Sequence, residues 1–129
     1  MKKALGKVIV AFLICLLSFA VVSPRPAMAD QYYCMLGQEP DCLRQLPLSG
    51  DVLFVDIPPS GVNFIDVNFS NFSDNQAVVN SDIDSPIVMP PFGGADRNYP
   101  VVPASSVTFS NASPVRDTTV QIRVFGYSR

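Results

Sequence analysis

A chain of 129 residues with nine Lys/Arg, eleven Asp/Glu, no histidine and no tryptophan has room for one small domain. Lys2, Lys3 and Lys7 are its only lysines, and beyond position 29 five arginines (44, 97, 116, 123, 129) face all eleven acids, a net charge of −6. Scattered arginines on an acidic chain exclude the clustered positive charge that nucleic acid or anionic lipid requires, and the dispersed acids read as a solubility feature.

The first element is a leader. Met1 to Lys7 is basic, Val8 to Val22 is apolar except for Ser18, and Ser23-Pro24-Arg25-Pro26 precedes Ala27-Met28-Ala29. That is a charged n-region, an apolar h-region and a small-x-small cleavage site. Cleavage is expected after Ala29, with a mature chain of 100 residues beginning at Asp30. The competing reading is an uncleaved anchor, but the 15-residue apolar run is short of the ~20 that span a bilayer. Membrane contact is therefore expected only through this transient segment, and the destination is the periplasm or the exterior. Cys15 lies mid-run behind Leu13-Ile14, which argues against a lipid anchor.

Residues 30–50 read as an irregular segment broken by Pro40, Pro47 and Gly50, with one helical turn over Asp41 to Leu46 capped by Asp41. Cys34 and Cys42 are the two cysteines left after the leader, an even number for an oxidising compartment, and they are expected to pair. A redox or zinc role lacks a CxxC spacing and a histidine co-ligand.

Residues 51–129 read as a β-domain. Val52 to Ile57 is a short apolar strand stopped by Pro58-Pro59-Ser60-Gly61. In Val62 to Phe72, Ile65, Val67 and Phe69 point one way, and Asp66, Asn68 and Ser70 the other. Ala77-Val78-Val79 starts a strand, and Pro86 to Met89 forms another, placed at an edge because a proline opens it. Pro90 to Pro100 reads as the longest loop, and Val107 and Phe109 alternate with polar neighbours in Ser105 to Ser110. Thr118 to Tyr127 alternates most cleanly: Val120, Ile122 and Val124 face in, Gln121, Arg123 and Phe125 face out, and the strand is expected to be central. About seven short strands without a useful amphipathic helix predict an all-β fold, a small antiparallel β-sandwich of immunoglobulin-like or jelly-roll-like build. The Cys-Trp-Cys spacing of antibody domains is absent.

Without histidine or post-leader lysine, serine and cysteine nucleophiles lose their usual base, and the protein is not expected to be an enzyme or to carry a cofactor. Asp82 and Asp84 share a face of an extended chain and are a weak candidate for a calcium ion or an acid/base pair; a solvated acidic loop is the plainer reading. Phe92, Arg97 and Tyr99 are the candidate partner-binding residues of the 90–100 loop; the plainer reading of the aromatics is that they cap the core. An exposed Phe125 would point to a covered sheet face and assembly. Asn68, Asn71 and Asn111 each open an Asn-x-Ser tripeptide and are read as chance polar positions, although in a eukaryotic host they would matter.

The expectation is an exported, non-enzymatic structural, adhesive or binding module whose partner is a protein, a glycan or another copy of itself. The alternative is an inhibitor or accessory subunit of an exported enzyme.

Overall fold

The computed structural model describes residues 29–129; the expected leader, apart from Ala29, lies outside the described residues. Nine strands follow in order: β1 Gln31–Met35, β2 Asp41–Leu46, β3 Val52–Asp56, β4 Phe64–Asn71, β5 Ala77–Ser81, β6 Ile87–Met89, β7 Gly94–Pro100, β8 Ser106–Asn111 and β9 Val120–Tyr127. They form a β-sandwich: a five-stranded sheet ordered β1-β3-β8-β5-β6 and a four-stranded sheet ordered β2-β9-β4-β7. All pairs are antiparallel except β1 with β3.

The alternating segments fold as their period dictates. Ile65, Val67 and Phe69 of β4, Val107 and Phe109 of β8, and Val120, Ile122 and Val124 of β9 are all buried. A period of two puts every second side chain on the inner face, so each of these strands supplies one row of the core. β9 lies inside its sheet and β6 at the edge of the other, as their sequences predict. Phe69 and Phe109 meet edge to face across the interior, with centroids 5.5 Å apart.

Two expectations are corrected. Residues 30–50 are not mainly irregular, and Asp41 to Leu46 is not a helical turn: the segment supplies β1 and β2, one edge strand to each sheet. Pro40 and Pro47 flank β2 rather than interrupt it. The extended form lets Cys42 and Leu46 point inward together, and a six-residue pairing with β9 outweighs the local helical preference. The stretch from Pro90 is likewise not one long loop. Its second part is β7, paired with β4 over seven residues from Ser70↔Gly94 to Phe64↔Pro100. β7 buries little apolar surface, so its backbone ladder holds it. Gly94 permits that approach, because a Cβ there would sit 2.8 Å from the Phe69 carbonyl oxygen.

Cys34 and Cys42 are bridged and fully buried. Because β1 and β2 belong to different sheets, the bridge ties the two layers at one end. Replacing both cysteines by serine is expected to cost about 2.5 kcal/mol from the short-loop entropy alone. A lowered urea midpoint checks this.

Two of the Asn-x-Ser tripeptides prove structural. Asn71 and Asn111 end β4 and β8 and are both buried. In each, Oδ1 accepts the N–H of the serine two residues on, Ser73 and Ser113. The Nδ2 of Asn71 donates to the Asn75 and Pro90 carbonyls, and that of Asn111 to the Leu46 and Thr118 carbonyls. These side chains close the corners where the chain leaves each sheet. Neither amide is open to glycan attachment.

Candidate binding surface on the four-stranded sheet

The residues predicted to bind a partner do not form one site. Phe92 stands at a turn, 70% exposed, with a positive φ of 57°. Tyr99 faces inward from β7 and is buried. Its hydroxyl donates to Asp84 Oδ2 at 2.7 Å, and Arg97 Nε lies 3.7 Å from the same oxygen. Arg97, Tyr99 and Asp84 therefore form a clamp joining β7 to the turn after β5.

Asp82 is engaged elsewhere, its Oδ1 accepting the Thr108 N–H at 3.0 Å. The paired carboxylates thus serve different partners. Among the described residues no group of three or more His, Cys, Asp or Glu gathers as a metal site.

The clamp makes a titration prediction. Burial first, and then the hydrogen bond to Asp84, hold the Tyr99 phenol well above its ordinary value. The same hydrogen bond is the main cause holding the Asp84 carboxyl below its usual range. A raised tyrosine favours the protonated folded form, so its contribution is complete below about pH 10 and is lost as pH rises further. Asp84 acts in the opposite sense, contributing above about pH 4 and losing its effect as pH falls below that. Tyr99→Phe is expected to remove a late-ionising phenol from the titration in base, read by absorbance near 295 nm.

A different surface gathers more chemistry. On the outer face of the four-stranded sheet, strand register arranges side chains in rows. One row runs Tyr127, Phe64, Pro100; the next Asp41, Phe125, Asp66, Asn98; the next Leu43, Arg123, Asn68, Asp96; the last Gln45, Gln121, Ser70, Gly94. Neighbours along a row are about 5 Å apart and successive rows about 7 Å apart.

The aromatic end is continuous. Phe64 and Phe125 each lie near-parallel to Tyr127 with centroids 5.9 Å apart, and the Arg129 guanidinium sits 4.4 Å above the Phe64 ring. Phe125 is 43% exposed. Beside it two Asp–Asn pairs cross between β4 and β7. Asn98 Nδ2 donates to Asp66 and Asn68 Nδ2 donates to Asp96, both at 2.5 Å. Asn98 Nδ2 also donates to the Tyr127 hydroxyl at 2.7 Å. With Arg97 these four residues line an open depression of about 370 Å³.

At the other flank Arg123 grips Asp41 with two bonds of 2.8 and 2.6 Å. That bond is the main reason the Asp41 carboxyl lies below its usual range. The face therefore offers carboxylate acceptors, carboxamides with both functions, a guanidinium and apolar ring surface, all on a rigid sheet.

The outward phase of β4 and β9 is readable in their alternation. That Asp66 stands beside Asn98 and Phe125 is not, because those residues are 32 and 59 positions away and only pairing joins them. The chain matches no protein-family model and no curated protein, so the face is read from its own chemistry.

Proposed function

We propose that this protein is an exported, non-enzymatic binding module that takes an extended glycan across the outer face of its four-stranded sheet. The observation that carries this is the juxtaposition of the Phe64–Tyr127–Phe125 patch with the Asp66–Asn98 and Asn68–Asp96 pairs. Sugars present apolar C–H faces and a rim of hydroxyls. Aromatic carbon suits the first, and paired acceptor and donor side chains suit the second. The open floor suits a chain that continues past either end. The leader and the Cys34–Cys42 bridge support an oxidising compartment outside the cytoplasm.

The test is a panel of neutral and acidic polysaccharides against the exported protein by affinity electrophoresis, with amide NMR shifts locating any contact. Phe125→Ala is expected to weaken binding about tenfold, equivalent to ~1.4 kcal/mol, and to leave the thermal midpoint nearly unchanged. Shifts confined to the five-stranded sheet would refute the assignment of the face. Absence of glycan binding together with co-purification of a single enzyme would favour the accessory-subunit reading instead.

A further inference from the structure

The corner where the folded domain begins holds a fully buried carboxylate, Asp51. Its Oδ1 accepts the Asp30 backbone N–H at 3.0 Å, and its Oδ2 accepts the Leu48 N–H at 3.0 Å. The surrounding backbone is fixed. Asp51 N donates to the Leu48 carbonyl, Val52 N to the Asp30 carbonyl, and Asn111 N to the Asp51 carbonyl. Gly50, at φ 104°, makes the turn that aims the Asp51 side chain at residue 30.

That nitrogen is the atom the expected processing step would change. In the uncut chain it is a neutral peptide N–H. Hydrolysis of the Ala29–Asp30 bond consumes one water, leaves a carboxylate on Ala29 and frees a protonated amine on Asp30. We propose that Asp51 is the receptor for this new terminus: the Asp30 α-ammonium pairs with the Asp51 carboxylate and fastens β1 to β3. The inference rests on the export reading and on cleavage after Ala29; the glycan face lies on the other sheet and plays no part in it.

A carboxylate out of water is better satisfied by a cation than by neutral amides alone. The corner is electronegative: the Tyr32 phenol is held above its ordinary value by burial, then by the charges of Asp51 and Asp30. A positive charge between these carboxylates relieves that field. The position matters because β1 is an edge strand whose one sheet neighbour among the described residues is β3. An anchor at Asp30, just ahead of its first residue, also steadies the Cys34–Cys42 bridge to the other sheet.

Beyond Ala29 the chain has no lysine, so a mature protein carries a single amine. This makes the test direct. The exported protein is treated with an acetylating N-hydroxysuccinimide ester and followed by intact mass. The expected mass begins at Asp30, and the amine is acetylated about tenfold more slowly in the native protein than in urea. Asp51→Asn brings the native rate up to the unfolded one. A second pair of variants guards against misfolding. One extra alanine ahead of Asp30 moves the amine away and is expected to lower the thermal midpoint by about 4–8 °C, with no such loss when added to Asp51→Asn.

Equal labelling rates in native and unfolded wild type, or an extension that leaves the midpoint unchanged, would overturn the ion pair. A processed product beginning anywhere but Asp30 overturns it while leaving export intact. An unprocessed chain overturns both.

Discussion

Asn111→Ala is expected to lower stability by about 3–5 kcal/mol, a large part of the 5–15 kcal/mol typical of a domain. The side chain is 1% exposed and spends both ends on other residues. Its Nδ2 holds the carbonyls of Leu46 and Thr118 at 3.1 and 2.8 Å. Its Oδ1 accepts from the Ser113 N–H and hydroxyl at 3.2 and 2.6 Å. Ser113 Oγ in turn accepts the Val78 N–H. One amide thus joins the end of β2, the segment leading into β9 and the corner after β8. Truncation leaves several of these groups without partners and out of water, at about 1–3 kcal/mol each before relaxation. Asn111→Asp fares no better, since a carboxylate oxygen would face two carbonyls. Asn68→Ala is the control. Asn68 also opens an Asn-x-Ser tripeptide but lies on the exposed face, and its loss is expected to change stability by no more than about 0.5 kcal/mol. Urea denaturation of the three variants checks the ranking. An Asn111→Ala protein within 1 kcal/mol of wild type, on the scale of an ordinary surface change, would mean the corner closes without its amide.

Phe109→Ala is expected to cost a similar 3–5 kcal/mol by a different route. Phe109 is fully buried on β8, between β3 and β5. It touches Phe69 of the facing sheet edge to face, and Tyr99 lies 6.4 Å away, centroid to centroid. Truncation removes the transfer energy of a ring and leaves a cavity between two rigid layers that cannot close over it. The thermal midpoint should fall by at least about 12 °C. Phe109→Leu retains most of the volume and should cost about 1.5 kcal/mol or less. Loss of Phe109 also removes packing behind Tyr99, so the Tyr99–Asp84 clamp should loosen with it. Earlier phenol ionisation in Phe109→Ala than in wild type would show that coupling.

The glycan proposal and the terminus proposal are physically separate. One uses the outer face of the four-stranded sheet, and the other a buried corner beside β1 and β3. Phe125→Ala should leave acetylation of the amine unchanged, and Asp51→Asn should leave glycan binding intact wherever the variant folds.

Alternation along the chain is enough to set the rows that face inward. Ile65, Val67 and Phe69, Val107 and Phe109, and Val120, Ile122 and Val124 follow from a period of two, because burying one face is the only arrangement that removes all their apolar surface from water. With Cys15 set apart in the expected leader, the sequence also leaves Cys34 and Cys42 to each other, and it marks β6 as an edge through Pro86. Strand pairing settles what local preference leaves open. β1, β2 and β7 are strands because neighbouring edges offer unfilled backbone donors and acceptors, a force with little signature in side-chain pattern. Asn68, Asn71 and Asn111 read alike along the chain, yet burial separates a surface residue from two corner posts. The candidate face exists only once β9, β4 and β7 are laid side by side, because register brings Phe125, Asp66 and Asn98 together across gaps no local periodicity spans.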